Sequence, residues 1–563
     1  MKLSMLFREL IRFSTQHRTL YCYLILSVWI FLLIAGENQK LGGFAHSWGF
    51  CLQMYLASNS EEQSAKLRKY KQHCSPIESL TRKDDGGLLE GWKLQGVLLV
   101  IRHGDRGPMS HVRGISSVDC GVESDSLLNK YKAFLLNATN PSGTNHMYWN
   151  KIGPFHGFAL LPPASKSCFL GQLTYKGIAQ LLHIGEILHQ VYAHPLGLLL
   201  KPPAHRININ STPHTLLNSD EVIVYSTRYR RTFQSAMALM FTFLTPDKWI
   251  ALNIRESHSM AFCFADCACP QVDVLRKKLS WLSSDQLAQH PAVAAVVQWL
   301  GQSLIQHTSN FISSPHEVMD AVLALLCHDK PLPCKKTGES GGKSYVTVSP
   351  PTTIDLNDVI NIDQDELMTN SIDSPIVFDP EENEAQPEGC IEFSHIAALM
   401  SYTSWQSSKE AKHALYHRTG LLRAYGLIRN IVSFMLKMIS GDRTKFVLYS
   451  GHDWTMQYLT AALGIETETA FIPYASRMAF EVYRSDMHTD YYFRVVHNGK
   501  DVTQQIDFCE GGKSLRVTRD SRGNKADLCP IENIIRFIHD DYFAPLNATN
   551  FKDACTIQKS SEF

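Results

Sequence analysis

The chain lacks an excess of either charge. Its 563 residues contain 54 Lys and Arg and 54 Asp and Glu, so the formal net charge is +0. A general nucleic-acid binder carries a clear excess of basic residues, so this balance argues against nucleic acid as a partner. An internal repeat is also absent. The length allows a large core, arranged as one domain with a large insertion or as two domains.

Basic residues are missing over one long stretch. No Lys or Arg occurs from Ser344 to Ser408, and the segment 353–388 within it contains eleven Asp or Glu. This composition is typical of a solvated or disordered loop rather than of a catalytic segment. Two further roles for the acidic loop stay open: tuning the acidity near a site and repelling anionic glycans.

Long hydrophobic runs are scarce, but Leu20 to Ala35 is almost wholly apolar. Basic residues precede this run and predict that its N-terminal side stays in the cytosol. We therefore predict a type II anchor, with a tail at 1–19, a membrane span at 20–36, a stem at 37–91 and a luminal body. A cleaved signal peptide is the alternative, although the preceding flank is long and no clear Ala-x-Ala site follows.

Cysteine, by contrast, is plentiful, with fourteen residues in the chain. Disulfides form in an oxidising lumen, so we expect disulfides rather than a zinc cluster at Cys263, Cys267 and Cys269. Two short loops are also plausible, Cys327 to Cys334 and Cys509 to Cys529. Three glycosylation sequons agree with a luminal body. They begin at Asn137, Asn210 and Asn547.

The most informative segment is 102–108, Arg-His-Gly-Asp-Arg-Gly-Pro, which follows the apolar run 97–101. Guanidinium groups bind phosphate bidentately, and histidine can form a covalent intermediate. The segment therefore suggests phosphoryl transfer to His103. Taken alone, the same residues also fit a solvated turn after a strand.

Two other short apolar runs end in comparable groups. The run 222–225 leads to Arg228, Arg230 and Arg231, and the run 445–449 leads to His452 and Asp453. Ligand sites in open α/β sheets lie outside the carboxyl ends of the strands. Because three strands end in such residues, we predict that these residues lie together and form one phosphate-binding site.

These segments resemble the histidine acid phosphatases, the phytase-like branch of the histidine phosphatases. The matching motifs are Arg102 to Pro108, Leu173-Thr174-Tyr175-Lys176-Gly177, His452-Asp453, Pro473 to Ser476 and Phe480 to Tyr483. The resemblance covers roughly 92–555, followed by a tail at 556–563. It implies an α/β fold, with a central, mostly parallel sheet flanked by helices. A helical insertion is expected at about 250–440, which includes the acidic loop.

The resemblance also implies a role for each residue. His103 is the expected nucleophile, Asp453 the proton donor, and His452 a donor to the phosphate. Arg102, Arg106 and Arg231 are the expected phosphate ligands; Arg228 and Arg230 compete with Arg231, because this chain departs from the family pattern there. Asp105 is expected to be a local partner of an arginine. No metal or other cofactor is implied, since the cationic side chains supply the positive charge.

Three further segments resemble family members that remove phosphate from the xylose of the glycosaminoglycan–protein linker. They are Phe262-Cys263, Cys267 to Pro270 and Cys529 to Asn533. This resemblance implies a phosphoxylose glycan as substrate, the Golgi membrane as location and linker glycosyltransferases as partners.

Three alternatives remain open. One is a luminal acid phosphatase with a different substrate, such as phytate or a phosphoprotein. Another is a type II Golgi glycosyltransferase, for which Asp363-Gln364-Asp365 resembles a metal-binding Asp-x-Asp. The third is a catalytically silent module that binds phosphoglycans.

Overall fold

The structure of the protein is a computed structural model. It covers residues 63–83, 85–86, 89–113, 124–139, 155, 157–163, 168–198, 221–250, 252–305, 314–335, 389–466, 471–487, 489–518 and 525–557. The strands in these ranges are β1 (Trp92–Arg102), β2 (Val222–Thr227), β3 (Ile254–Ser257), β4 (Cys334–Lys335), β5 (Gly389–Cys390), β6 (Phe446–Gly451), β7 (Arg477–Ser485), β8 (Tyr491–His497), β9 (Lys500–Asp501), β10 (Leu515–Thr518) and β11 (Lys525–Pro530).

The chain also forms α-helices within these ranges. They are α1 (Ser126–Thr139), α2 (Tyr175–Leu188), α3 (Arg230–Phe243), α4 (Pro246–Ile250), α5 (Pro270–Ala288), α6 (Pro291–Leu304), α7 (Pro315–Cys327), α8 (Phe393–Ala411), α9 (Ala414–Ile439), α10 (Asp453–Leu463), α11 (Ile531–Arg536) and α12 (Phe551–Ala554). The mixture of helices with a central sheet confirms the predicted α/β class.

The main sheet is mixed rather than mostly parallel, which corrects the prediction. Strands β3, β2, β6 and β1 are parallel neighbours in that order. On the other side of β1, strands β7, β8, β11 and β10 pair antiparallel. The connections β7–β8 and β10–β11 are short, whereas a parallel crossover needs a dozen or more residues. The three strands whose ends were identified from the sequence, β1, β2 and β6, all belong to the parallel half.

Helices cover both faces of the parallel half, which explains why its strands are continuously apolar. Side chains of a strand alternate between faces. Val97 and Leu99 of β1 pack on one face with α2 and α3. Leu98 and Val100 pack on the other face with α9. All four side chains are fully buried, so the sheet centre forms a rigid base for the segment that follows β1.

A separate helical core lies in the predicted insertion. Apolar side chains of α6, α7 and α8 pack together there. The segment 270–304 of this insertion forms two helices, because Pro291 cannot continue α5 and begins α6 instead. Helix α9 also falls within the predicted insertion, but it packs against the sheet rather than in this helical core.

Part of the predicted stem packs against the folded body. Cys74 forms a disulfide with Cys327 at the end of α7. The backbone N–H of Gly86 donates to the buried Glu481 carboxylate at 2.9 Å. Asp85 forms a buried ion pair with Arg477. The described residues between 63 and 90 therefore belong structurally to the body.

Five disulfides join described cysteines. They are Cys74–Cys327, Cys263–Cys267, Cys269–Cys555, Cys334–Cys390 and Cys509–Cys529. The expectation of disulfides at the cysteine cluster and at 509–529 is confirmed. The suggested pairing of Cys327 with Cys334 is wrong, because Cys334 lies in β4 and pairs across to Cys390 in β5.

Several predicted features lie outside the described residues. These are the anchor at 20–36, the loop 353–388, Asp363-Gln364-Asp365 and the sequon at Asn210. Among the residues that the structure does describe, no helix is long and apolar enough to span a membrane. The sequon residue Asn547 is exposed, as glycosylation requires.

Candidate active site

The carboxyl ends of β1, β6 and β2 lie side by side, which brings the three sequence segments together. The parallel register pairs Arg102 with Gly451 and Ser226 with Ser450. The backbone N–H of His103 also donates to the Gly451 carbonyl at 3.1 Å. Each strand therefore delivers its functional residues to one pocket at the same edge of the sheet.

The turn after β1 depends on two glycines. A Cβ on Gly104 would lie 2.3 Å from the carbonyl oxygen of Gly177, and a Cβ on Gly177 would lie 2.3 Å from that of Asp105. Thr174 caps α2 by accepting the Gly177 N–H, and its hydroxyl donates to Asp105 at 2.7 Å. The Leu-Thr-x-x-Gly segment thus holds the turn that carries His103.

His103 is buried, and one of its ring nitrogens is held by the backbone. Nδ1 lies 2.8 Å from the Gly104 carbonyl oxygen, which accepts a hydrogen bond and leaves Nε2 with a lone pair. Burial and the guanidinium groups of Arg231 and Arg102 hold the pKa of His103 well below its usual value. A neutral imidazole with a free Nε2 is the form that can attack phosphorus.

Arg102 is buried between two aromatic rings. Its guanidinium carbon lies 4.3 Å from the ring centroids of both Phe471 and Tyr474. One Nη donates to the Ile472 carbonyl, and the other donates to Asp453 Oδ2 at 3.1 Å. These contacts fix the guanidinium plane beside the proposed acid.

Arg106 is held by a carboxylate that the sequence analysis did not identify. Its two Nη atoms donate to Asp320 of α7 at 3.2 and 3.0 Å. The same carboxylate accepts the Met109 N–H at 2.9 Å. Within the described part of the chain, the Nε atoms of Arg102 and Arg106 are buried without a hydrogen-bond acceptor. Each of these two Nε–H groups is therefore available to donate to a bound phosphate.

Arg231, and neither of its competitors, lies in the pocket. It is in the first turn of α3, is 9% exposed, and its Nη2 lies 3.4 Å from His452 Nδ1. Burial and repulsion from Arg106 lower the pKa of Arg231 to about 10, so it stays charged at neutral pH. The Arg228 side chain is 61% exposed and pairs with Glu256, and Arg230 is exposed.

His452 and Asp453 stand at the beginning of α10. His452 Nδ1 faces the Arg231 donor, so Nε2, which lies 3.0 Å from the Thr227 hydroxyl, carries the proton. Burial and the neighbouring guanidinium groups keep the pKa of His452 well below its usual value. Burial raises the pKa of Asp453, but the guanidinium groups, led by that of Arg102, outweigh burial and lower it overall. The free site therefore holds a neutral imidazole beside a carboxylate.

Asp105 does not pair with an arginine, which corrects the sequence prediction. Its Oδ2 lies 2.9 Å from Nε2 of His328 and also accepts the Thr174 hydroxyl. Burial raises the pKa of Asp105, but His328 and Thr174 outweigh burial and lower it overall. The Asp105 side chain points away from the guanidinium groups, toward the end of α7, and therefore has a structural role.

Helix α7 thus supplies pocket residues that no motif indicated. Asp320 and His328 support the turn from outside the sheet. One signal was available in the sequence: Asp320 is a charge flanked by apolar residues on both sides in the helix. Such a carboxylate needs a buried partner, but the sequence does not say which cation supplies it.

Replacing Asp320 with Asn is expected to lower kcat/KM by about 10²-fold, because Arg106 loses the charged partner that fixes its position. The change should also weaken competitive inhibition by inorganic phosphate, measured from initial rates. Glu317→Gln is the matched control, since Glu317 lies on the same helix, is exposed and accepts a hydrogen bond from the Ser110 hydroxyl. An unchanged phosphate inhibition constant in Asp320→Asn would contradict this role.

The family comparison agrees with this geometry. A model of the histidine phosphatase superfamily, branch 2, matches residues 93–498, which include the three strand ends. The chain belongs to this superfamily. The membership confirms the prediction of a histidine phosphatase and classifies the protein as a phosphatase enzyme.

This histidine phosphatase is similar to individual proteins at low sequence identity. The 2-phosphoxylose phosphatase 1 of Xenopus tropicalis is 24% identical over 494 residues, covering 86% of this chain and 81% of that protein. The Homo sapiens protein of the same name is 24% identical over 498 residues, covering 86% and 85%. The crystal structure of the phytase from D. castellii is 13% identical, with a TM-score of 0.39, and covers 85% of this chain and 86% of that one.

Proposed function

We propose that the protein hydrolyses a phosphate monoester through a phosphohistidine on His103. The observation that carries this proposal is the convergence of a neutral imidazole, three buried guanidinium groups and a carboxyl group at one sheet edge. Phosphoryl transfer depends mainly on positioning and on stabilising charge at the phosphate oxygens. Arg102, Arg106 and Arg231 supply that charge, and Nε2 of His103 supplies the nucleophile.

In the first step, the Nε2 lone pair attacks phosphorus in line with the ester oxygen. The P–N bond forms as the P–O bond to the leaving group breaks. Asp453, in its protonated form, gives its proton to the departing oxygen, so an alcohol leaves rather than an alkoxide. His452 donates its Nε2 proton to a phosphate oxygen, which replaces the Thr227 hydroxyl as the acceptor.

In the second step, water attacks the phosphohistidine. Asp453 is now a carboxylate and takes a proton from that water. The P–N bond breaks, inorganic phosphate forms, and His103 returns to its neutral state. Asp453 thus gives up a proton in the first step and regains one from water in the second.

For the substrate, we propose the 2-O-phosphate of xylose in the glycosaminoglycan–protein linker. The support is the name shared by the relatives from Xenopus tropicalis and Homo sapiens, each matched over most of its length. It agrees with the three segments that suggested this substrate from the sequence. Arg102, Arg106 and Arg231 recognise the phosphate group and not the alcohol to which it is attached.

We also propose that the catalytic body faces the Golgi lumen, anchored by the apolar run at 20–36, and acts beside linker glycosyltransferases. Disulfides persist in oxidising compartments, and five of them join described cysteines. The exposed sequon residue Asn547 is compatible with this location.

A comparison of substrates tests the proposed function. The full chain is expected to release phosphate from a 2-phosphoxylosyl linker glycan with a higher kcat/KM than from phytate or p-nitrophenyl phosphate. Phosphate release is measured at several acidic and neutral pH values, with and without EDTA. A preference for phytate would overturn the substrate, and dependence on a nucleotide sugar and Mn²⁺ would favour the glycosyltransferase alternative.

A further inference from the structure

The position of the general acid determines where the leaving group lies. A proton donor must come within about 2.6–3.2 Å of the oxygen that it protonates. The ester oxygen, and the group attached to it, therefore lie on the Asp453 side of the phosphate. The Asp453 side chain is 26% exposed, so this side of the pocket opens toward solvent.

The residue that follows Asp453 in the chain is an exposed tryptophan. The backbone N–H of Trp454 donates to Asp453 Oδ1 at 2.8 Å. Its side chain is 38% exposed, whereas Met456 and Leu459 on the same helix are fully buried. Tyr458, one turn later, packs against the indole with ring centroids 5.6 Å apart. The indole is therefore supported by Tyr458 while part of it stays open to solvent.

A polar side chain approaches the same carboxylate from another element. His316 lies in the first turn of α7, one turn before the Asp320 that holds Arg106, so both side chains project from the same face of the helix. His316 is half-buried. Burial lowers the pKa of His316, and the Asp453 charge partly opposes this change. A neutral imidazole offers one hydrogen-bond donor and one acceptor.

We propose that Trp454 and His316 form the subsite for the leaving group, which is a sugar ring. A sugar ring has an apolar face of C–H groups and a rim of hydroxyls. The C–H face packs on the indole, and His316 exchanges hydrogen bonds with a hydroxyl next to the ester oxygen. Binding sites of this kind combine an aromatic surface with a few placed polar groups. This inference rests on the proposed phosphohistidine chemistry, because that chemistry places the leaving group beside Asp453.

Contacts in this subsite should affect only substrates whose leaving group has a ring, whereas contacts in the phosphate pocket should affect every phosphate ester. The leaving group of ethyl phosphate needs a proton from Asp453, as a sugar hydroxyl does, but it has no ring to pack on an indole. Changes at Trp454 or His316 should therefore alter the ratio of kcat/KM for a sugar phosphate to kcat/KM for ethyl phosphate. A change that only disturbed Asp453 or the arginines would lower both values together and leave the ratio unchanged.

The test compares variants of the full chain on a 2-phosphoxylosyl linker glycan and on ethyl phosphate. Trp454→Ala is expected to lower the ratio about tenfold, and Trp454→Phe should restore most of it. His316→Ala is expected to lower the ratio several-fold, the size of a lost hydrogen bond between neutral groups. Trp405→Ala is the control, since Trp405 is equally exposed at 38% but packs against His290 and Tyr402.

The outcomes separate this inference from the proposed function. If the unmodified protein cleaves the linker glycan and Trp454→Ala leaves the ratio unchanged, the subsite is wrong and the proposed function stands. An equal loss on both substrates also overturns the subsite, because the indole then acts only by supporting Asp453. If the unmodified protein cleaves ethyl phosphate but no sugar phosphate, both the proposed substrate and the subsite fail.

Discussion

Replacing His103 with alanine is expected to lower kcat by at least about 10⁴-fold, because the reaction loses its nucleophile. The three guanidinium groups remain, so inorganic phosphate should still inhibit whatever slow hydrolysis is left. Stopped assays with the linker glycan and with p-nitrophenyl phosphate measure the loss. A loss on both substrates is expected, since each must transfer its phosphoryl group to Nε2.

The intermediate gives a second readout for the same variant. When the unmodified protein is denatured during turnover of a ³²P-labelled substrate, label should remain on His103, stable to base and labile to acid. His103→Ala should carry no label. His189→Ala is a control with a similar local contact, because His189 Nδ1 also faces a backbone carbonyl at 2.8 Å, outside the pocket. Turnover at a normal rate in His103→Ala would overturn the mechanism.

The charges around His103 also predict how activity depends on pH. Burial and the guanidinium groups lower the pKa of His103, so the imidazole stays neutral and nucleophilic below its usual titration range. The same guanidinium groups lower the pKa of Asp453, so the free enzyme holds a carboxylate where the first step needs an acid. The same guanidinium groups thus keep His103 neutral, as a nucleophile must be, and keep Asp453 deprotonated, although the first step needs its proton.

Substrate binding resolves this conflict. A bound phosphate neutralises the guanidinium groups and places negative charge near Asp453, and both effects raise the pKa of the carboxyl group. A monoester also loses its second proton at about pH 6, so the substrate carries a proton at acidic pH that Asp453 can use. We therefore expect kcat/KM to fall as the pH rises above about 6.

The parts of the site that lie at strand ends were predictable from the sequence. The apolar runs before Arg102 and His452 indicated buried parallel strands, and such strands place their carboxyl ends together. The choice of Arg231 over Arg228 and Arg230 was a harder case. Arg231 points inward because the first turn of α3 begins at Arg230, and the sequence pattern does not fix that helical start to one residue.

Other parts depend on long-range packing that leaves no local trace. The contact between Arg106 and Asp320 joins residues 214 positions apart. The pairing of Asp105 with His328 rather than with an arginine depends on where α7 ends. The antiparallel half of the sheet was missed because family likeness, rather than the short connection between β7 and β8, guided the expectation. For the partners of Arg106 and Asp105, the missing information concerned how separate segments meet.

Asp453→Asn is the second change with a large expected effect. Asparagine keeps the shape of the side chain but can neither donate the proton nor accept it from water. The rate on the linker glycan should fall about 10²- to 10⁴-fold, the usual contribution of a general acid. The loss on p-nitrophenyl phosphate should be smaller, because nitrophenolate leaves without a proton. On that substrate, phosphohistidine should accumulate, since water attack then lacks its base.

The competing role for Asp453 is to hold Arg102, whose Nη2 donates to its Oδ2 at 3.1 Å. Loss of that contact would misplace a phosphate ligand and slow both substrates alike. The two roles therefore differ in the ratio of the losses and in the pH profile. A proton-donor role predicts a larger loss on the linker glycan and a flatter decline above about pH 6 in Asp453→Asn. Equal losses with an unchanged profile would assign Asp453 to positioning Arg102 and leave the leaving group to take its proton from the substrate itself.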